Sequence, residues 1–222
     1  MPIAENLLSI QSELPENVTL VAVSKTMPIP DLMEAYAAGQ RVFGENKVQE
    51  MADKHEQMPK DIEWHMIGHV QTNKVKFMAP FVSLIHGVDS LRLLEEINRQ
   101  AQKNNRVINC LLQIHIAEEE TKFGLDENDL MEILESERFK ALENIHVKGL
   151  MGMATFTENE EHIKKEFANL KAIFDHVNSS SIIRYPMSTL SMGMSGDYKI
   201  AIDCGSTMVR IGSSIFGNRN YN

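Results

Sequence analysis

The chain has 222 residues, with 22 Lys plus Arg against 31 Asp plus Glu and a formal net charge of −9 at pH 7. This acidic balance, without a run of basic residues, argues against a nucleic acid or an anionic membrane as the partner. The two cysteines, Cys110 and Cys204, are too few and too far apart in sequence for a disulfide framework. No apolar stretch approaches the roughly 18 residues of a membrane span, and the first residues lack the features of a secretory signal. Composition therefore predicts a globular protein of the cytoplasm.

Short apolar runs alternate with amphipathic segments along the chain. Eight of these runs are strand candidates: 19–23, 41–44, 62–68, 81–88, 107–117, 145–151, 189–192 and 208–211. The first seven are followed by helix candidates: 30–39, 46–58, 71–78, 91–101, 126–134, 158–177 and 196–203. Near-continuous apolar strands between helices are typical of a parallel sheet covered by those helices. Eight such units predict one domain over residues 1–222, an α/β fold of the (β/α)8 TIM-barrel type, for which about 200 to 250 residues is usual. An open, doubly wound sheet is the alternative.

Small and polar residues follow the predicted strands at their carboxyl ends, where barrels of this class hold their sites. Ser191 lies at the seventh strand, while Gly212 and Ser213 follow the eighth; their amides and hydroxyls suit a phosphate group. Lys25 lies at the end of the first strand, after Ser24, and burial in the barrel mouth would favour its neutral, nucleophilic amine. A reactive lysine together with a phosphate site fits pyridoxal phosphate, and Arg210 would lie near the ring.

Two other kinds of enzyme are also compatible with these residues. His65, His69, His86 and His115 suggest a metal-dependent hydrolase, but a spacing of four does not bring side chains together in a strand-to-loop segment. A phosphosugar enzyme that uses Lys25 as its Schiff-base lysine is the second alternative.

Seven segments carry a resemblance to a known family. They are AVSKT (22–26), FGENKVQE (43–50), WHMIGHVQTNK (64–74), TKFG (121–124), KGLMGMA (148–154), LSMGMS (190–195) and GSTMVRIGSSIFG (205–217). Over nearly the whole chain, and in this order, they resemble the pyridoxal phosphate homeostasis proteins. The resemblance implies a barrel similar to the N-terminal domain of alanine racemase, with pyridoxal 5′-phosphate (PLP) held as an aldimine on Lys25.

The resemblance also implies roles for further residues. Arg210 would contact the pyridine nitrogen, and Asn46 would lie beside the cofactor near its phenolic oxygen. Gly212 and Ser213 would bind the phosphate with help from Ser191. Because arginine is a permanent cation, it keeps the pyridine nitrogen unprotonated and weakens the ring as an electron sink.

A carrier and an enzyme are both compatible with such a site. Alanine racemase has a second, β-rich domain and an opposing tyrosine base, whereas this sequence has only Tyr221 in the short tail after the eighth strand. Two-base racemisation needs acids on both faces of the substrate carbon, and only Lys25 is in place. The sequence therefore predicts a monomeric protein that binds, buffers and delivers PLP to apo PLP-dependent enzymes, without robust turnover. A small amino-acid racemase is the alternative.

Overall fold

In a computed structural model, which describes residues 2–118, 123–180 and 182–217, eight parallel strands form a closed barrel. The strands are β1 (Thr19–Val23), β2 (Val42–Glu45), β3 (Glu63–Met66), β4 (Leu84–Val88), β5 (Ile108–Gln113), β6 (Ile145–Met151), β7 (Thr189–Met194) and β8 (Met208–Ile211). Their order around the barrel is their order in the chain, and β1 pairs with β8 to close it. The predicted (β/α)8 barrel is confirmed, and the open-sheet alternative is wrong.

Helices surround the barrel. They are α1 (Ile3–Glu13), α2 (Ile29–Ala37), α3 (Val48–Gln57), a 3-10 turn (Thr72–Lys74), α4 (Val75–Met78), α5 (Leu91–Lys103), α6 (Glu127–Glu135), α7 (Glu137–Lys140), α8 (Glu160–Ser179), α9 (Tyr198–Asp203) and α10 (Ser213–Phe216). Sequence reasoning missed α1, α7 and α10. Helix α1 starts after Pro2 without a side-chain cap, so the usual sequence marker of a helix start is missing there. Its buried face consists of Leu7 and Ile10. None of the helices described here is long and apolar enough to cross a membrane.

The core has two layers because side chains alternate across each strand. Side chains that point outward pack beneath the helices, and Phe43 and Trp64 are the largest strand residues there without solvent exposure. A smaller cluster fills the barrel interior: Val21, Leu84, Leu111, Met151 and Met208. Burial of each such aliphatic side chain stabilises the fold by about 1.5–3 kcal/mol.

Three element boundaries differ from the prediction in ways that position the site. Strand β7 continues to Met194 instead of ending at residue 192, and a register shift against β8 accompanies the extension. Helix α3 begins at Val48 instead of residue 46, which leaves Asn46 outside the helix. Strand β5 ends at Gln113 instead of residue 117, because the backbone there turns to exchange hydrogen bonds with Leu125.

Candidate functional site

A cavity of about 750 Å³ opens at the carboxyl ends of the strands. Five of the six residues predicted for the site line it together: Lys25, Asn46, Arg210, Gly212 and Ser213. They come from the ends of three strands that adjoin in the closed barrel, β8, β1 and β2. Closure of the barrel therefore brings into one site residues that are far apart in sequence.

Ser191 is the exception, and its placement differs from the phosphate-contacting role that the resemblance implies. It is fully buried and does not line the cavity. Because β7 runs two residues further than predicted, Ser195 reaches the cavity instead. The Ser195 hydroxyl accepts a hydrogen bond from the Gly212 N–H at 3.2 Å, which joins the last two loops.

The turn that carries Lys25 is fixed by hydrogen bonds of the two neighbouring residues, Ser24 and Thr26. Ser24 is fully buried, whereas Lys25 is half-buried and Thr26 is exposed. Thr26 has a φ of +64°, a left-handed conformation that is unusual for a β-branched residue. Its N–H donates to Glu50 Oε1 at 2.6 Å, so a carboxylate on α3 fixes this conformation.

A buried ionic group lies beneath this turn, on the helix side of the barrel wall. We call it the Lys54 cluster; its members are Ser24, Glu45, Glu50 and Lys54. Lys54 Nζ donates to the Ser24 carbonyl at 2.8 Å, to Glu45 Oε1 at 2.8 Å and to Glu50 Oε1 at 2.7 Å. The Ser24 hydroxyl donates to Glu45 Oε1 at 2.6 Å. Burial raises the pKa of Glu45, although the Lys54 ammonium acts in the opposite direction.

Arg210 lies inside the barrel, with 4% of its surface exposed. Its Nη1 donates to the Ser191 carbonyl at 2.9 Å and to the Ser191 hydroxyl at 2.6 Å, and its Nη2 donates to the Gly152 carbonyl at 3.1 Å. Burial lowers the pKa of Arg210 to about 10, and the Asp197 carboxylate opposes that shift. The guanidinium therefore stays protonated at neutral pH. Its hydrogen bonds go to oxygens of Ser191 and Gly152 that carry no formal charge.

The hydrogen bonds of Arg210 continue into a buried series that we call the Arg210 chain, made of Arg210, Ser191, His86 and His65. Ser191 Oγ lies 3.0 Å from His86 Nδ1, and His86 Nε2 lies 3.0 Å from His65 Nδ1. Arginine can only donate, so the Ser191 hydroxyl accepts from it and has its proton free for His86. His86 Nε2–H then donates to His65, which fixes a neutral tautomer of each ring.

Burial keeps both histidines of the Arg210 chain uncharged. It lowers the pKa of His65 to about 3. It also lowers the pKa of His86 well below its usual value, with His65 and Arg210 adding to that effect. In the described part of the chain, no group of three His, Cys, Asp or Glu side chains is arranged to hold a metal ion. His65 and His86 contact each other within the Arg210 chain, whereas His69 Nδ1 lies 3.2 Å from Asp89 Oδ2.

Small residues form the part of the cavity next to β7 and β8. Gly196, Gly212 and Ser195 line it with Ser213 and Ser214, and glycine lets a ligand approach the backbone closely. The N–H groups of Ser213 and Ser214 open the first turn of α10, where a backbone N–H has no acceptor within the helix. Such amides, with the nearby hydroxyls, are suited to bind an anion.

Comparisons with known proteins identify the family of this chain. Residues 2–220 match the family described as alanine racemase, N-terminal domain. The pyridoxal phosphate homeostasis protein of Aquifex aeolicus is 41% identical over 91% of this chain and 87% of that protein. The protein of the same name from Escherichia coli is 36% identical over 99% of this chain and 97% of its own length. The chain belongs to the pyridoxal phosphate homeostasis protein family.

Solved structures agree with this family assignment. PipY of Synechococcus elongatus is 36% identical to this chain, over 97% of this chain and 100% of that one. Its structure without PLP superposes with a TM-score of 0.90, and its structure with PLP bound with a TM-score of 0.88. An alanine racemase from Clostridium difficile, at 16% identity and a TM-score of 0.82, shares the fold over 58% of its own length. The predicted family and its barrel are confirmed.

Several residues that line the cavity of this family member were not singled out from the sequence. They are Gln113, Thr155, Phe156, Thr157 and Asp197. Val23, Ile67 and Phe123 also line the cavity and lie in segments that carry the family resemblance. Most come from loops whose course depends on contacts with distant elements, so no local pattern marks them. Residues 121 and 122 of the TKFG segment, and Tyr221, lie outside the described residues.

Gly68 shows how closely the loops at this end of the barrel approach each other. A Cβ at Gly68 would lie 2.5 Å from the Asn46 carbonyl oxygen and 2.9 Å from Asn46 Cα. Only glycine fits at this position without a backbone shift. The end of β3 therefore packs directly against Asn46, which helps to hold that residue at the cavity.

Proposed function

We propose that this protein binds PLP through a Schiff base on Lys25 and serves to buffer the cofactor and deliver it to apo PLP-dependent enzymes. One observation carries the proposal. A lysine, a buried guanidinium and a set of backbone amides and serine hydroxyls line the same cavity. These groups match the aldehyde, the ring nitrogen and the phosphate of PLP.

Each part of the cavity suits one part of the ligand. The Lys25 amine would condense with the aldehyde and release water. The phosphate would bind to the hydroxyls and amides of Ser195, Gly212 and Ser213, and Asn46 would lie near the phenolic oxygen. The fit at Ser195 replaces the contact that the resemblance implies for Ser191, which is buried below the cavity.

The position of Arg210 disfavours strong carbanion chemistry such as transamination and suits either a carrier or a racemase. Its guanidinium has donors only, so a pyridine nitrogen that binds it must accept and remain unprotonated. An unprotonated ring withdraws electrons weakly, which disfavours reactions that need a strongly stabilised carbanion. The names of the curated relatives and the PLP-bound structure of PipY also support this function. We further propose that the protein acts in the cytoplasm as a monomer.

The binding step is tested by trapping the imine. The protein is incubated with PLP, reduced with borohydride and digested, and the labelled peptide is identified by mass spectrometry. We expect an imine absorbance that disappears on reduction, with the label on Lys25. Lys25→Ala should abolish both signals, whereas Lys47→Ala, which changes an exposed lysine outside the cavity, should leave both unchanged. A label on another lysine, or no absorbance change, would contradict the proposal.

The delivery step needs a separate measurement. Loaded protein is mixed with an apo PLP-dependent enzyme while a phosphatase destroys free PLP, and the recovery of enzyme activity is followed. Recovery that exceeds that obtained with free PLP supports delivery. Formation of D-amino acids from L-amino acids at ordinary enzymatic rates, abolished by Lys25→Ala, would instead identify a racemase.

A further inference from the structure

The turn that carries Lys25 spans residues 24–27. The Ser24 carbonyl accepts a hydrogen bond from the Met27 N–H at 3.0 Å, so Lys25 and Thr26 are the two central residues of a β-turn. The φ of +64° at Thr26 is that of the second central residue in a type II turn, a position that favours glycine. A β-branched residue adopts this conformation at a steric cost, which contacts with other parts of the protein must offset.

Both peptide groups next to the Lys25 Cα are hydrogen-bonded to helix α3. The carbonyl of the preceding peptide group, which belongs to Ser24, accepts from Lys54 Nζ at 2.8 Å. The N–H of the following peptide group, which belongs to Thr26, donates to Glu50 Oε1 at 2.6 Å. The two soft backbone rotations of Lys25 turn its Cα relative to these two groups. Contacts with α3 therefore fix the direction in which the Lys25 side chain leaves the backbone.

Glu50 and Lys54 form one unit on α3. They are four residues apart, and Lys54 Nζ lies 2.7 Å from Glu50 Oε1, the same oxygen that accepts from Thr26. The exposed fraction is 7% for the Lys54 side chain and 22% for the Glu50 side chain. The Glu45 carboxylate, on β2, accepts from Lys54 at 2.8 Å and thereby anchors the pair to the barrel wall. Hydrogen bonds between charged groups are stronger than neutral ones, which suits this pair to hold a strained turn.

We propose that Glu50, together with Lys54, is a positioning residue for Lys25, because it holds the turn in the conformation that presents the amine to the aldehyde of PLP. The inference rests on the proposed function. The Lys25 nitrogen bonds to the aldehyde carbon, and the aldehyde oxygen leaves as water. A turn that also adopts other conformations has its amine in place in only a fraction of the molecules, and the apparent affinity falls by that fraction.

The pair should therefore act on loading more than on release. Before the bond is made, the direction of the Lys25 side chain depends on the backbone contacts of Ser24 and Thr26 with α3. After the bond is made, the lysine is also held at its far end, through the ligand. Loss of the backbone contacts then changes little in the loaded state.

Three variants separate this role from a general effect on the fold. Glu50→Met removes the acceptor of the Thr26 N–H and keeps a side chain of similar length. Glu50→Gln retains an oxygen acceptor and loses the charge, so it should keep part of the effect, and it replaces Glu50→Met if that variant does not fold. Glu56→Met is the matched control, because Glu56 lies on the same helix and is exposed.

The first measurement follows the association and the dissociation of PLP by the imine absorbance. Glu50→Met should lower the association rate by about tenfold and leave the dissociation rate within about twofold, so the Kd should rise by about tenfold. Glu56→Met should change neither rate. An unchanged association rate in Glu50→Met would overturn the proposal. A faster dissociation with unchanged association would also overturn it, because Glu50 would then stabilise only the loaded state.

A rescue experiment asks whether the turn itself is the cause. Glycine adopts a positive φ without the steric cost of threonine, so Thr26→Gly lets the turn form with less help from Glu50. Thr26→Gly combined with Glu50→Met should bring the association rate back to within about threefold of the unchanged protein. A double variant as slow as Glu50→Met alone would overturn the proposal, because Glu50 would then act by another route.

The second measurement needs no PLP. Hydrogen exchange of the Thr26 amide in the cofactor-free protein should be about tenfold faster in Glu50→Met than in the unchanged protein or in Glu56→Met. Unchanged exchange would overturn the role of Glu50 in the turn. The two proposals fail differently. If the unchanged protein forms no imine, the proposed function fails; if it forms one on Lys25 as fast as Glu50→Met does, the function stands and the positioning role fails.

Discussion

The Lys54 cluster and the Arg210 chain are both buried, but they hold their cations in opposite ways. Lys54 lies on the helix side of the barrel wall and is paired with two carboxylates, Glu45 and Glu50. Arg210 lies inside the barrel, and its hydrogen bonds go to a hydroxyl and two carbonyl oxygens. Lys54 is thus neutralised by hydrogen-bonded carboxylates, whereas Arg210, which lines the cavity, is hydrogen-bonded only to uncharged oxygens among the described residues.

The two arrangements also differ in what they stabilise. The Lys54 cluster compensates its own charges and fixes a backbone turn, so its effect is mainly structural. The Arg210 chain orients a guanidinium through neutral groups, so the positive charge remains directed toward an anionic or electron-rich ligand. Four perturbations test this distinction.

Lys54→Met should have the largest effect. It leaves Glu45, whose side chain has no exposed surface, without its cation, and loss of one partner of a buried pair costs about 3–5 kcal/mol of unfolding free energy. Urea denaturation measures this loss. Lys171→Met, which breaks the exposed pair with Asp175, should cost less than about 1 kcal/mol. Equal losses in the two variants would show that Lys54 acts as a surface residue.

Lowering the pH from 7 to 5 should reduce stability through the Arg210 chain. His65 and His86 have pKa values below the value of about 6.5 for an unfolded histidine, so only the unfolded state takes up their protons in this range. Their contribution is complete above pH 6.5 and is lost as the pH falls toward 3. At about 1.4 kcal/mol per pH unit below 6.5, His65 alone should remove about 2 kcal/mol, and His86 adds a further loss in the same direction.

Denaturation at several pH values measures this slope. His65→Gln should flatten it, because glutamine can still accept the proton of His86 and does not itself titrate. His176→Gln, at an exposed histidine, should leave the slope nearly unchanged. If His65→Gln gave the same slope as the unchanged protein, the buried histidines would not be the source of the pH dependence.

Ser191→Ala should have an intermediate effect. It removes one acceptor of Arg210 and leaves His86 Nδ1 without its donor, so we expect a loss of about 1–3 kcal/mol. Ser12→Ala removes an exposed hydroxyl that bonds to the Ser9 carbonyl, and it should change the unfolding free energy by less than about 0.5 kcal/mol. A negligible effect of Ser191→Ala would place that hydroxyl outside the buried chain.

Thr26→Gly should have the smallest effect, and of opposite sign. A non-glycine residue at a φ of +64° costs about 1–2 kcal/mol, and the greater freedom of glycine in the unfolded chain offsets part of the gain. We expect a net stabilisation of about 0.5–1 kcal/mol, measured by urea denaturation. Asn105→Gly, at a φ of +52°, should gain less, because asparagine tolerates this conformation. A destabilised Thr26→Gly would show that the threonine side chain supports the turn.

The barrel and most of its site could be predicted from sequence because both depend on local patterns. Strand runs such as 145–151 and 208–211 coincide with the observed elements, and Lys25 follows its strand as expected. The role of Ser191 stays a prediction: the strand was expected to end at residue 192, whereas it continues to Met194 and Ser195 lines the cavity. The Lys54 cluster could not be predicted, since a charged residue on an amphipathic helix usually faces solvent.

The pairing of β1 with β8 gives the site a property that follows from chain connectivity. Thr19–Val23 lies near the start of the sequence and Met208–Ile211 near its end, and residues of the two strands pair where the barrel closes. A molecule that binds both Lys25 and Ser213 would connect the loop after β1 with the loop after β8. Its affinity would add directly to the free energy of barrel closure, by about 2.7 kcal/mol at a hundredfold excess over Kd. Loading with ligand and completion of folding are thus thermodynamically linked in this protein.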